Sequence, residues 1–303
     1  MNRLPSDAIV KVYAEDLIRQ RLTVRGLNFP PAKKVQSMLA GNHHSQFRGR
    51  GVDYMESRHY QPGDDIRNMD WRVTARTGIP YTKVFQEERE RPVILLLDTN
   101  ASMFFATRGS FKSVQAARLA ALIGWITTVR GDRVGALSFH NNKHHELRPA
   151  GGRRGAMRLI RQLCKWYNHK PETSQFSGLG NALARTRNMA RPGSLIVVIS
   201  DFYSLDETAE RHLIRLRQHN DVVLFSVSDP LEIQTPIAAN YHMTDGMTFG
   251  SMDLSQKDSR ELWQQKLGQR LENADRLAVK AQSPLFPLLT NQNPVDILRK
   301  WSQ

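Results

Sequence analysis

Two aspartates, each at the end of a short apolar run, are the groups in this sequence best placed to do chemistry. Asp98 follows Val93-Ile94-Leu95-Leu96-Leu97 and leads into Thr99-Asn100-Ala101-Ser102, while Asp201 follows Leu195-Ile196-Val197-Val198-Ile199-Ser200. Apolar runs this short, rich in residues that favour extended backbone and bounded by turn signals such as Pro92, read as fully buried strands. In an open α/β sheet, ligands bind at the carboxyl ends of the strands. The spacing and order of these oxygen-bearing groups predict a divalent-ion crevice rather than a catalytic dyad.

The elements that must position them alternate. Strands are expected at 93–97, 133–139, 144–148, 195–199 and 222–227, and helices at about 111–129, 154–167, 180–190 and 206–219. Such alternation predicts an α/β fold, a Rossmann-like, doubly wound and mostly parallel sheet covered on both faces. No G-x-G-x-x-G follows the first strand, so no nucleotide site is expected. Upstream, residues 4–40 predict one or two amphipathic helices, with Ile9, Val10, Tyr13, Leu17 and Ile18 at helical spacing and a break at Pro30-Pro31; a glycine-rich and basic stretch, Gly41 to Gly51, follows. Residues 52–91 have the texture of a small β-containing subdomain. Two parts are therefore expected, 1–91 with the helices and small subdomain, and 92–303 with the main sheet. Beyond Pro230 the sequence predicts a hairpin turn at Thr244-Asp245-Gly246-Met247, a polar helix over 256–281, a strand at 285–289 and a closing helix over 294–301.

Composition sets bounds on function. A chain of 303 residues with 40% hydrophobic and 24% charged residues can build a sizeable core. Its one cysteine, Cys164, rules out an internal disulfide, and the first 21 residues mix Asp7, Glu15 and Asp16 with Lys11 and Arg19, unlike a signal peptide. A cytoplasmic location is expected. The net charge of +14 is uneven: residues 92–201 carry 16 Lys/Arg against 5 Asp/Glu. That excess favours an acidic partner.

Three segments together resemble a known site. Asp98-Thr99-Asn100-Ala101-Ser102, Ser177-Gly178-Leu179-Gly180-Asn181 and Ile199-Ser200-Asp201 are similar to the three parts of the metal-ion-dependent adhesion site of von Willebrand factor A domains. Upstream, Tyr60-Gln61-Pro62-Gly63-Asp64-Asp65-Ile66-Arg67-Asn68-Met69-Asp70-Trp71, with Arg76 following, resembles the signature of the bacterial DUF58 proteins, which pair this block with a von Willebrand A-like domain. The resemblance implies a metal set of Asp98, Asn100, Ser102, Ser177 and Asp201, with Mg²⁺ as the ion, the aspartates acting through water and the serines supplying hydroxyls. Asn100 stands where the family's first serine is expected, and Ser177 where a threonine is usual. It further implies a MoxR-type AAA+ ATPase as partner, other von Willebrand A proteins as further partners, and an adaptor role in chaperone-like or cofactor-insertion systems, with a carboxylate of the partner bound at this degenerate adhesion site, on the rim formed by the Asp98 loop, the Ser177 loop and Asp201.

The remaining motifs are read from their chemistry. Pro62-Gly63-Asp64-Asp65 predicts a tight turn whose carboxylates bond nearby N–H groups or Arg67, Arg72 and Arg76, with Trp71 anchoring the subdomain. Arg154, Arg158, Arg161 and Lys165 recur at helical spacing opposite Met157, Ile160, Leu163, Cys164 and Tyr167, a basic stripe that serves either as a solvated face or as a partner-binding surface. His140, His144 and His145, with His43 and His44 upstream, lack the spacing of a zinc site. Ser102 has no evident histidine partner in sequence, so a hydrolase is not expected. The expected function is a non-enzymatic adaptor; the alternative is a basic module for nucleic acid or an anionic membrane surface.

Overall fold

The computed structural model describes residue 5 and residues 7–29, 52–87, 91–141, 143–169, 178–234, 237–244 and 249–302. The stretch Gly41–Gly51, the Pro30-Pro31 break, His43, His44, Ser177 and the turn residues 245–247 lie outside them. The chain forms two compact units, Met1–Val35 with Arg91–Gln303, and Gln36–Glu90. This division differs from the one expected at residue 91, because the N-terminal residues pack with the large sheet unit. Among the described residues their α-helix, α1 (Ala14–Arg19), is short. Val12 and Asn168 exchange two hydrogen bonds of 2.8 Å, and the Trp125 indole donates to the Leu17 carbonyl at 2.9 Å. Ala8, Val12, Leu17, Val24 and Phe29 are buried, whereas Ile9 and Ile18 face solvent. Over the described residues 7–29 the amphipathic spacing therefore marks a segment that packs, there as turns around a short helix; the part of the expected 4–40 stretch beyond residue 29 lies outside the described residues.

The smaller unit is an antiparallel pair, β1 (Val52–His59) and β2 (Tyr81–Glu87), bridged by α2 (Trp71–Thr77). Turn chemistry fixes it. Gly63 has φ +108°, a conformation that disfavours other residues, and the Asp64 N–H closes the turn onto the Gln61 carbonyl at 3.0 Å. Asp65 accepts from the Arg67 N–H at 3.0 Å, and Asp70 caps α2 by accepting from the Val73 N–H at 3.1 Å and from the Ser57 hydroxyl at 2.6 Å. The arginine on Asp64 is Arg58, at 2.6 Å, in place of the expected Arg67, Arg72 or Arg76. Trp71 does not anchor a core: as the first residue of α2 it points outward and is 64% exposed. Tyr60 joins the hairpin through its backbone N–H to the Pro80 carbonyl, while Pro62, Arg67 and Arg76 are exposed.

In the large unit β3 (Val93–Asp98) leads into α3 (Lys112–Val129), β4 (Arg133–His140), β5 (Lys143–Gly151), α4 (Gly152–Tyr167), α5 (Leu179–Met189), β6 (Leu195–Ser200), α6 (Glu207–His219) and β7 (Asp221–Ser228). After α7 (Pro230–Ile233), the antiparallel pair β8 (Asn240–Thr244) and β9 (Phe249–Asp253) precedes α8 (Lys257–Lys280), β10 (Leu285–Leu289) and α9 (Pro294–Ser302). The sheet order is β10-β7-β6-β3-β4-β5, parallel except for the antiparallel pairing of β5 with β4. This is the α/β arrangement that the alternating pattern predicts.

Both faces of the central strands are covered, which is why they are continuous apolar runs. Leu95 and Leu97 pack beneath α3, α4 and α9, while Ile94 and Leu96 pack beneath α5, α6 and α8. Each such side chain, fully removed from water, contributes about 1.5–3 kcal/mol. The edge strands resist further pairing: β5 carries Lys143, His144, His145, Glu146 and Arg148, and β10 carries Pro287. Among the described residues no helix is long and apolar enough to cross a membrane.

The sheet order also explains where a site must form. From β3 the chain leaves over one face, through α3, to β4; it comes back over the other face, through α5, to β6 on β3's opposite side. Strand order reverses between β3 and β6, and a crevice opens at their carboxyl ends.

Candidate functional site at the carboxyl edge of the sheet

The register sets the two aspartates together. Leu97 pairs with Ile199, so Asp98 lies level with Ser200 on the neighbouring strand. The Ser200 hydroxyl donates to Asp98 Oδ2 at 2.6 Å, while Asp98 Oδ1 accepts from the Asn100 backbone N–H at 2.9 Å and from Asn100 Nδ2 at 2.8 Å. Asp201 follows one residue beyond the level of Asp98. The two carboxylates thus share one buried crevice, as expected.

What fills that crevice was not expected. Lys112, the first residue of α3, extends its ammonium between Asp201 Oδ2 and Glu232 Oε1, 2.9 Å from each, and all three side chains are buried. Arg270, on α8, donates to the Asp201 carbonyl at 2.8 Å and lies 3.4 Å from Glu232 Oε2. Its guanidinium rests 4.6 Å from the centre of the Tyr203 ring, and Lys112 Nζ 5.3 Å from the same centre. Two cations and two carboxylates balance one another, in a place where a lone charge would be costly.

Electrostatics follow from this arrangement. Burial and the neighbouring Asp201 push the Asp98 carboxyl up to about 7. Asp201 behaves oppositely: burial works against its charge, but Lys112 and Arg270 overcome it and hold the carboxyl below its ordinary value. Burial likewise works against the Lys112 ammonium, and Asp201 and Glu232 together hold it above the usual lysine range. Tyr203 is raised to about 12, first by burial and then by Glu232.

The described residues of this site, as they are engaged here, do not fit a divalent ion. The Asn100 carbonyl oxygen accepts from the Asn141 N–H at 2.9 Å while its Nδ2 is spent on Asp98, so the side chain ties the loop after β4 to Asp98 and leaves no free oxygen for an ion. Both Asp98 oxygens carry hydrogen bonds, and Asp201 is engaged by an ammonium. Ser102 does face Asp201 and helps keep it ionised, though short of full hydrogen-bond geometry. Among the described residues no group of three or more His, Cys, Asp or Glu side chains could hold a metal. The sequence-expected set is thus brought together as a charge-balanced internal network, while Ser177 lies outside the described residues. Gly178, next to it, has φ +100°, and a Cβ there would lie 1.8 Å from the Asn141 carbonyl oxygen.

Several members of the network escaped the sequence reading. Lys112 carried a readable signal, as a charged residue opening an apolar helix. Asp229 and Glu232 carried another: Asp229-Pro230-Leu231-Glu232 directly after a strand is a capping box, realised here with Glu232 Oε2 accepting from the Asp229 N–H at 2.8 Å. Asp229 also holds the loop after β3 by accepting from the Thr107 N–H at 2.8 Å. Arg270 sits in a polar helix and could not be told from its solvated neighbours.

The basic stripe stands as expected. Arg154, Arg158, Arg161 and Lys165 are exposed on α4, and among the described residues none forms an ion pair, while Leu159, Ile160, Leu163 and Tyr167 are buried on the other side. Cys164 is partly buried, and burial raises its thiol. His140 and His145 lie with ring centroids 6.5 Å apart on the β4–β5 hairpin.

Several known proteins are similar to this chain. The uncharacterized proteins Rv1480 of Mycobacterium tuberculosis and Mb1516 of Mycobacterium bovis are each 29% identical over 222 residues, covering 73% of this chain and 69% of the relative. Among solved structures, BatB from Bacteroides thetaiotaomicron is similar with TM-score 0.47 and 16% identity, over 70% of this chain and 98% of that one. A von Willebrand factor type A protein from Catenulispora acidiphila gives TM-score 0.40 and 8% identity, over 73% and 42%. A family model described as "Protein of unknown function DUF58" matches residues 56–270, taking in the Pro62-Gly63-Asp64-Asp65 block and the crevice strands alike. The chain therefore belongs to the DUF58 family.

Proposed function

We propose that this chain is a non-enzymatic adaptor that docks on an acidic protein surface, and that its partner is a MoxR-type AAA+ ATPase, as the family resemblance implies. The observation that carries the reading is the exposed Arg154–Arg158–Arg161–Lys165 stripe, without an ion pair among the described residues, on a helix whose opposite face is locked into the core. The crevice supports it from the other side. Asp98, Asn100 and Asp201 are at most 1% exposed. They shape the rim of the sheet, and in this reading the partner is met by the stripe and not at the adhesion-site residues where the resemblance puts it, since their polar groups are engaged by Ser200, Asn141, Lys112 and one another.

Triple reversal, Arg154→Glu with Arg158→Glu and Arg161→Glu, is expected to leave the thermal midpoint nearly unchanged, since exposed charges rarely alter stability by more than about 0.5 kcal/mol. It should reduce recovery of a MoxR-type ATPase on the tagged chain by at least about tenfold, given that complementary charge governs encounter and specificity. Failure of the unmodified chain to recover such an ATPase, identified by mass spectrometry, overturns the reading. The same stripe would suit a nucleic acid or an anionic membrane, which requires affinity that falls steeply as salt rises.

A further inference from the structure

Between β4, β5 and the last turn of α4 lies a cavity of about 440 Å³, bordered by Thr99, Ser138, His140, His145, Lys165 and His169. We propose that it is the receptor for one acidic side chain of a protein partner, a glutamate or aspartate; this rests on the adaptor reading and locates its anchor point. Three observations converge. Among the described residues, no carboxylate lines the cavity, while three imidazoles and an ammonium do. The Ser138 hydroxyl is buried, borders the cavity and has no hydrogen-bond partner among the described residues, so a donor stands ready where an acceptor is missing. Lys165 belongs both to the cavity and to the exposed stripe, and Thr99 directly follows Asp98, so the cavity joins the partner-facing helix to the carboxyl edge.

The groups facing His140 come from each neighbouring element: His145 and Lys143 from β5, and His169 from just beyond α4. All are basic. Burial first, and these neighbours next, hold its imidazole below the ordinary histidine value. Cys164, on the same wall, is kept as a neutral thiol by burial and adds no opposing charge. An incoming carboxylate would supply the missing negative charge and accept from the imidazoles and from Ser138. A nucleic-acid strand needs a continuous cationic track with aromatic faces for stacking. The aromatic on this wall, Trp166, is 7% exposed and offers no free face.

The sign of the pH effect follows. Binding raises the His140 pKa, so affinity is full below its free value and is lost as pH rises through the bound value. Fluorescein-labelled octaglutamate, titrated into the full chain and followed by anisotropy, should bind several-fold more tightly near pH 6 than near pH 8, part of the roughly tenfold gain that a tenfold rise in the imidazole's proton affinity gives between pH values below the free and above the bound pKa. The His140 ring-proton resonance, followed by NMR, should titrate at higher pH with the peptide present. His145→Gln, on an exposed edge strand, and Ser138→Ala should each weaken binding several-fold and shrink the pH dependence. The triple stripe variant should bind more weakly with its pH dependence intact. Unchanged binding in His145→Gln and Ser138→Ala, or an unmoved His140 titration, overturns the cavity while leaving the ATPase recovery test of the adaptor reading untouched. Equal displacement by an oligothymidylate of the same length overturns the assignment to an acidic protein segment.

Discussion

Lys112→Met should destabilise the protein by about 3–5 kcal/mol, the cost of leaving one side of a buried ion pair uncompensated. Methionine nearly matches the apolar stem of lysine, so packing is spared and the loss reports the charge. Asp201 and Glu232 would then face each other with Arg270 alone to offset them, at full burial. Urea unfolding measures the change as a lower midpoint with an unaltered slope. Adding Glu232→Gln to Lys112→Met should restore part of the stability, because one orphaned charge is removed. Saturating Mg²⁺ should leave the midpoint of the unmodified chain unchanged, since its carboxylates are already matched by internal cations, and ligand linkage would otherwise raise it. A Lys112→Met variant as stable as the parent, or a parent markedly stabilised by Mg²⁺, would refute the internal-ammonium account.

The second large effect is a pH dependence with a sign unusual for a carboxylate. Asp98 is held at about 7 in the fold by burial and by Asp201, against roughly 3.9 in an unfolded chain. Between these values the folded state binds the extra proton, so stability falls as pH rises from about 4 to about 7. The distance between those two values puts the effect on the order of 4 kcal/mol. Asp98→Asn, which keeps an acceptor for Asn100 but cannot ionise, should lack this slope and be the more stable form above pH 7. Asp70, Asp201 and Asp229 are shifted downward, so their contributions are lost only at more acid pH. His140 and His212, also shifted downward, gain stability as pH rises and oppose the trend, but both are partly exposed and weigh little. Stability curves of the two proteins that run parallel from pH 5 to 8 would refute the buried, protonated Asp98.

The two experiments bear on different parts of one design. Lys112 ties α3, the loop after β6 and α7 into a single unit at the carboxyl edge, and Arg270 brings α8 to it. These loops are thereby fixed at the carboxyl edge, which the stripe reaches where α4, running up from Arg154 beside the opposite edge, brings Lys165 to the cavity. In the adaptor reading, rigidity of that rim is what the network supplies, and surface charge is what the partner meets.

Much of this was written locally in the sequence. The runs 93–97 and 195–199 are apolar at consecutive positions because strands buried on both faces have no polar side, so their ends, and the aspartates there, could be read directly. The stripe on α4 was equally legible, since a helix half in water and half in the core repeats its chemistry every three to four residues. The turn and cap residues of the small unit declared themselves through Pro-Gly and Asp chemistry, although the outward position of Trp71 did not, because a side chain's direction depends on what packs above it. Tertiary structure alone decided what the aspartates do. Lys112, Glu232 and Arg270 lie 31 to 158 residues apart from one another or from Asp201 along the chain, and no local pattern links them. Only the reversal of strand order between β3 and β6, with α3 and α8 closing over opposite faces, brings their charges within 3.4 Å and turns an expected ion cup into a closed network.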